Sequence, residues 1–247
     1  MKKYGLIGYP LTHSFSKRFF IEKFEKEKVN AVYENFEVKD ISWFQDIVRS
    51  NPSLVGLNVT IPYKQLVISY LNELDEAADE VGAVNTIKIK RIGERIHLKG
   101  YNTDIWGFET SLKPLLKNYH KKALILGTGG ASKAIKYVLK KLKISYISAS
   151  IEELQENEIK YKDIDKKMMA ERLLIINATP LGTFPNVETF PPIPYQYVTD
   201  RHLLFDLVYN PETTRFMEKG KERGAIVKNG YEMLLQQALR SYEIWNT

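Results

Sequence analysis

The chain contains no cysteine. Disulfides, thiolate nucleophiles and zinc–thiolate centres are therefore excluded, and a reducing, cytoplasmic setting is expected. Long apolar runs are also missing: nothing approaches the roughly 20 residues a membrane-spanning helix needs. Lys2 and Lys3 resemble the start of a signal peptide, but Gly8, Pro10 and His13 break the apolar stretch behind them. Histidines stand only at 13, 97, 120 and 202, without the helical pairing of a ligand set, so no metal is expected. No Gly-x-Ser-x-Gly elbow occurs, which removes one common hydrolase signature. The net charge of +6 is not gathered into a stripe; its small clusters are Lys121-Lys122 and Lys140-Lys141. That distribution suits solvated helix faces with some attraction for anionic ligands, not a nucleic-acid footprint.

What is present is enough apolar material for a full core. The 247 residues are 44% hydrophobic, the scale of one large or two modest domains. In the first hundred residues, Lys3–Gly8, Ala31–Val38 and Leu54–Thr60 read as strands. Ser16–Lys28 reads as a helix, with Phe20 and Phe24 four apart and a Glu22/Lys26 charge pair. Pro62 is placed to open a helix running to about Leu74. Ala83–Lys90 and Ile96–Tyr101 alternate around Arg91-Ile92-Gly93-Glu94, which suggests a hairpin. Beyond Thr103 the style changes. Ala123–Leu126, LLIINATPLG, LLFDLVYNP and AIVKNG are continuous apolar runs broken at their carboxyl ends, as expected of parallel strands buried on both faces. The fold class is α/β. Residues 1–103 make an α/β domain, residues 104–229 a doubly wound dinucleotide-binding domain. A C-terminal helix, within 230–247, is expected to return to the first. The segment after Ser150 reads as polar helix and loop.

Gly127, Gly129 and Gly130 follow a strand and open a helix, spelling GTGGASKA. Gly127 suits a tight turn. Gly129 and Gly130 let the backbone approach a pyrophosphate, with helix N–H groups facing the anion. The alternative is a structural βα turn. About 20 residues on, where an acid would bind a ribose 2′-hydroxyl, the chain reads Ser148-Ala149-Ser150. Two serine hydroxyls with a nearby lysine would accept a 2′-phosphate, so NADP is the expected cofactor and NAD the alternative.

Polar groups interrupt the first domain at four places. Ser14 and Ser16 flank a helix start, suiting a carboxylate or serving as an ordinary N-cap. Asn58 and Thr60 share one face of a strand. Lys64 follows, where the dipole of the expected helix disfavours a cation and so hints at function. Asn85-Thr86 and Asn102–Asp104 complete the set. Taken singly, each also fits a turn or cap.

The stretches HSFS, GLNVTIPYK, GAVNT, GYNTD, GTGGASKA, NATPLG, DLVYNP and NGYEMLLQQA, spanning residues 13 to 238, resemble the shikimate dehydrogenase family. The resemblance implies reversible NADP-dependent reduction of 3-dehydroshikimate to shikimate, in aromatic amino-acid biosynthesis, by a monomer or homodimer. It implies that Ser14 and Ser16 hold the substrate carboxylate, and that Asn58, Thr60, Asn85, Asp104 and Gln237 hold ring hydroxyls. Lys64 and Asp104 match the catalytic pair, and Tyr209 a substrate contact. Gly127, Thr128, Gly129, Gly130 and Ala131 match the pyrophosphate loop. Thr179 sits in a strand-end loop near the cofactor; Gly230 and Met233 match residues beside the nicotinamide, with Leu207 in the same loop. The chain departs from the family at Ser148-Ala149-Ser150, where Asn-Arg-Thr is usual. Two alternatives remain: a quinate/shikimate dehydrogenase using NAD or both cofactors, and a non-catalytic metabolite-binding protein on the same fold.

Overall fold

Lys2–Gly8 forms the first strand, β1, and its last five positions are buried. The computed structural model describes residues 1–11, 15–152 and 154–247. The chain divides into two compact units, Met1–Thr103 with Ala238–Thr247, and Asp104–Gln237.

In the first unit β1 is followed by α1 (Phe15–Lys26), β2 (Ala31–Glu37), α2 (Phe44–Ser50), β3 (Leu54–Val59), β4 (Glu73–Leu74), α3 (Glu76–Val81), β5 (Thr86–Ile92) and β6 (Arg95–Tyr101). The sheet order is β2-β1-β3-β5-β6-β4. β1 runs parallel to β2 and β3, whereas β3, β5 and β6 are successively antiparallel. The β5–β6 hairpin turns through Gly93-Glu94, with Gly93 at φ +61°, a conformation glycine adopts without strain. One core cluster gathers Ile7, Phe44, Leu54, Leu57, Val59 and Ile87. Another gathers Tyr4, Phe20, Phe24, Tyr33 and Trp245. Trp245 stacks on Tyr4 at 4.9 Å and donates its indole N–H to the Ile87 carbonyl at 3.0 Å. A Cβ at Gly56 would come within 2.5 Å of that indole, so the close approach requires glycine.

The expected helix over 62–74 does not form. Residues 61–65 are turns, Leu66–Tyr70 is a short 3-10 helix, and β4 follows. The adjacent β-branched Val67 and Ile68 are weak helix formers. The Asn72 N–H then turns to the Leu98 carbonyl at 2.9 Å, drawing the chain to the sheet edge. Lys64 thus lies in a turn, and a helix dipole no longer singles it out.

The second unit begins in α4 (Thr103–Leu112). It continues through β7 (Lys122–Leu126), α5 (Gly130–Lys141), β8 (Ser145–Ser150), β9 (Glu158–Lys160), α6 (Lys166–Glu171), β10 (Leu174–Asn177), β11 (Leu203–Asp206), α7 (Arg215–Lys221), β12 (Ile226–Lys228) and the start of α8 (Tyr231–Asn246). All six strands are parallel, in the order β12-β11-β10-β7-β8-β9. Counted from β7, that is the 3-2-1-4-5-6 arrangement of dinucleotide-binding sheets, with its switch point between β7 and β10. β10 and β11 are buried at every position, as their continuous apolar runs require. β9 is a correction: the segment read as polar helix and loop holds an edge strand of three residues, too short to show alternation. Among the described residues, no helix is long and apolar enough to cross a membrane.

Candidate functional site

In the first unit the polar residues at the ends of β3 and β5 meet in one buried network. The Tyr33 phenol donates to Asn58 Oδ1 at 2.8 Å. Asn58 Nδ2 donates to Ser241 Oγ at 3.0 Å, with the Asn85 carbonyl and Thr86 Oγ1 each at 3.3 Å. Asn85 Oδ1 accepts the Thr103 N–H at 2.7 Å, and Thr103 Oγ1 lies 3.1 Å from both Thr86 Oγ1 and Ser241 Oγ. Burial pushes the Tyr33 phenol well above its ordinary pKa, so it stays a donor; a hydrogen bond with Ser16 acts the other way. Ser16, half-buried in the first turn of α1, is thereby tied to Asn58 through one phenol. Ser14 lies outside the described residues.

This network fixes the geometry around two further residues. Thr60 follows β3, its N–H bound to the Ile7 carbonyl at 3.0 Å and its hydroxyl-bearing side chain half-buried. The carbonyl of half-buried Lys64 accepts the Val84 N–H at 2.7 Å, which pins the Lys64 turn beside the Ala83–Asn85 segment. Asn58 differs in kind from the other candidates. Both ends of its amide are engaged within the fold, so in this structure it braces the site.

The second unit carries the glycine loop at its switch point. Gly127 has φ +99°, and a Cβ there would lie 2.8 Å from Thr179 Cγ2, so both the turn and the approach of the two loops require glycine. Gly129 caps α5, and a Cβ at Gly129 or Gly130 would meet nothing within 4 Å. Open space before a 12-residue helix, lined by backbone N–H groups, fits a dinucleotide pyrophosphate. Thr128 and Ala131 are half-buried on either side of these glycines. Ser132, which stands at the third glycine of the usual motif, donates to the Gly129 carbonyl at 2.6 Å and closes the turn internally.

The two serines near the end of β8 are held differently. Ser148 is fully buried with its hydroxyl unsatisfied, and Ser150 is buried as well. Ser150 ends the strand, accepts the Glu152 N–H at 3.1 Å and lies 3.3 Å from Thr128 Oγ1.

Across the switch point, Asn177 Oδ1 accepts both the N–H and the hydroxyl of Thr179, at 3.0 and 2.6 Å. Asn177 Nδ2 donates to Asp206 Oδ1 at 2.9 Å; the same carboxylate accepts the Val208 N–H at 3.0 Å and the Thr214 hydroxyl at 2.5 Å. Burial pushes the Asp206 carboxyl up to about 6, while these three hydrogen bonds oppose the rise. Leu207 and Gly230 are packed so closely that a Cβ at Gly230 would overlap the Leu207 carbonyl. Tyr209, 37% exposed, extends from the same loop. Asp104 is nearly buried in the first turn of α4, where a carboxylate is favoured by the dipole. Met233 and Gln237 are buried one helical turn apart on α8. Gly107 of α4 lets α8 come close, since a Cβ there would overlap the Met233 carbonyl.

Thr103, Ser241, Asn177 and Asp206 belong to these hydrogen-bond networks and are not among the residues singled out from the sequence. Ser241 had a signal: it lies four residues after Gln237, a hydroxyl among apolar helix positions. Among the described residues no group of three metal-ligating side chains occurs.

A family model described as the shikimate dehydrogenase substrate binding domain matches residues 6–87. The chain is 36% identical to the shikimate dehydrogenase (NADP(+)) of Desulforamulus reducens, across 98% of this chain and 88% of that protein. The crystal structure of shikimate dehydrogenase 1 from Peptoclostridium difficile is similar with a TM-score of 0.84 and 34% identity, covering 100% of this chain and 92% of the other. The shikimate 5-dehydrogenase of Listeria monocytogenes, solved in complex with shikimate and NAD, gives a TM-score of 0.85 at 30% identity over 100% and 92%.

Proposed function

This chain belongs to the shikimate dehydrogenase family, and on that premise we propose that it reversibly reduces 3-dehydroshikimate to shikimate with NADPH, in aromatic amino-acid biosynthesis. What carries the reading is full-length similarity to enzymes of that name, joined to an open glycine loop at a 3-2-1-4-5-6 switch point.

In this reading residues 1–103 with the helix in 230–247 bind substrate, and residues 104–229 bind the dinucleotide. Gly127, Thr128, Gly129, Gly130 and Ala131 hold the pyrophosphate through backbone N–H groups. Thr179, Leu207, Gly230 and Met233 bound the nicotinamide position. Bound NADPH supplies the hydride. Ser14 and Ser16 bind the substrate carboxylate through their hydroxyls. Thr60, Asn85, Tyr209 and Gln237 orient the ring hydroxyls, while Asn58 acts by holding Asn85 and Thr86 in place. Lys64 Nζ donates a hydrogen bond to the substrate carbonyl oxygen, stabilises the charge that develops there and holds the proton that completes the alcohol. The Asp104 carboxylate accepts from a ring hydroxyl and orients it. An enzyme that draws on dissolved dinucleotide fits the cytoplasm, the setting expected of a cysteine-free chain.

The test is oxidation of shikimate, followed by absorbance of the reduced nicotinamide, with NADP+ and NAD+ and with quinate as rival substrate. Preferred turnover of shikimate with NADP+ is expected. Equal rates with quinate would move the chain to the broader quinate/shikimate class. Shikimate binding without turnover would leave only a metabolite-binding role.

A further inference from the structure

We propose that Lys160 recognises the 2′-phosphate of NADP(H) in this chain, taking the part of a basic residue that its β8 terminus lacks. The inference rests on the dinucleotide-binding function proposed above. In this sheet type the ribose 2′ position is read just beyond the second strand, about 20 residues after the first glycine. Here that strand is β8, and it ends in Ser148-Ala149-Ser150, with no cation among them. Both serines are buried, and the Ser150 hydroxyl is the one at the end of the strand, within reach of Thr128 in the glycine loop.

The cation comes instead from the neighbouring strand. β9 runs parallel to β8 in a register that pairs Ser150 with Lys160. The Lys160 ammonium donates to the Glu152 carbonyl, so it reaches across the carboxyl end of β8. Ser150 Oγ holds the Glu152 N–H at 3.1 Å and lies 3.3 Å from Thr128 Oγ1 of the glycine loop. Thr128, Ser150 and Lys160 thus adjoin one another, two hydroxyls and an ammonium, beside the open start of α5. Lys136, another cation near this edge, is engaged by Glu158 Oε1 at 3.3 Å. A phosphate arriving at the end of β8 offers the Lys160 ammonium charged oxygens in exchange for a neutral carbonyl. Hydrogen bonds to an ionised acceptor are the stronger kind.

The experiment is calorimetric titration of the whole chain with NADP+ and, separately, NAD+, for the wild type and for K160A, K160M and K160R. NAD+ lacks only the 2′-phosphate, so it reports the rest of the site. K160A and K160M are expected to weaken NADP+ binding by about 10- to 100-fold, the range of one charge-assisted hydrogen bond, while NAD+ affinity stays within about twofold. K160R is expected to keep most of the preference. An unchanged NADP+/NAD+ affinity ratio in K160A and K160M, or an equal loss for both dinucleotides, overturns the role of Lys160 and leaves the proposed function standing. A wild-type chain that binds neither dinucleotide overturns both.

Discussion

Ser241→Ala removes one hydroxyl from the centre of the first unit's polar network. Ser241 is fully buried, and its Oγ lies 3.0 Å from Asn58 Nδ2, 2.7 Å from Thr86 Oγ1 and 3.1 Å from Thr103 Oγ1. The loss is smaller than three separate hydrogen bonds, because the partners keep one another. Thr86 and Thr103 remain 3.1 Å apart, and Asn58 Nδ2 retains the Asn85 carbonyl at 3.3 Å. The expected cost is about 1–3 kcal/mol. At about 2–4 °C per kcal/mol for a chain of this size, the Tm falls by about 5 °C. Thermal unfolding followed by circular dichroism measures it. A double-mutant cycle with Thr86→Val is expected to show coupling of about 0.5 kcal/mol or more, since the two hydroxyls are in direct contact. Because the network also holds Asn85, Ser241→Ala is expected to raise KM for shikimate more than it lowers kcat. A Tm unchanged within about 1 °C, with no coupling, would refute the reading of Ser241 as a buried member of that network.

Lys64→Met is expected to lower kcat by about 100-fold or more with little change in KM, the mark of an interaction made mainly in the transition state; near-normal turnover in steady-state kinetics removes Lys64 from the acid–base step. Gly127→Ala must place a side chain at φ +99° and 2.8 Å from Thr179 Cγ2, so it is expected to cost about 1–3 kcal/mol of stability and weaken NADP+ binding, read by melting and titration. Stability is expected to fall as pH drops below about 6.5. His120 and His202 are buried, each accepting a backbone N–H at Nδ1 and facing a carbonyl from Nε2, so burial holds their pKa values below the ordinary one. The unfolded chain therefore binds more protons in that window, and the stability present above it is lost on acidification. Asp206, raised to about 6, works in the opposite sense below that pH, so the fall should steepen in Asp206→Asn; a flat Tm from pH 7 to 5 in that variant contradicts the histidine assignment.

The parallel sheet is legible in the sequence because its central strands are buried on both faces, and LLIIN and LLFD show it as unbroken apolar runs. The glycine loop is legible because a positive φ at Gly127 demands glycine, and because glycines at 129 and 130 leave open the space before the helix, where a Cβ would meet nothing of the chain itself. The hairpin at Gly93 is legible for the same reason. Where no single residue is demanded, local reading fails. The stretch after Pro62 has helix-compatible residues, and the sheet edge, reached through the Asn72 N–H and the Leu98 carbonyl, decides its path. β9 exists because β8 offers it an edge, a partner invisible from three residues alone. Among the site residues, types and spacing single out Asn58, Thr60, Lys64 and Asn85, but they do not separate contacts from braces. That Asn58 is engaged at both ends of its amide depends on Tyr33 and Ser241, which lie far from it along the chain. Ser148 and Ser150 look equivalent in sequence and both are buried, and only the fold separates the hydroxyl without a partner from the one at the strand end that meets Thr128 and the Glu152 N–H.

The most direct measurement is incubation of the purified chain with 3-dehydroshikimate and NADPH, with the product identified by mass spectrometry and NADPH consumption followed in parallel. Shikimate formed in equal amount to the NADPH oxidised, and lost in Lys64→Met, is the outcome expected. NADPH left unoxidised, with 3-dehydroshikimate recovered intact, would contradict the assignment of this chain as a shikimate dehydrogenase.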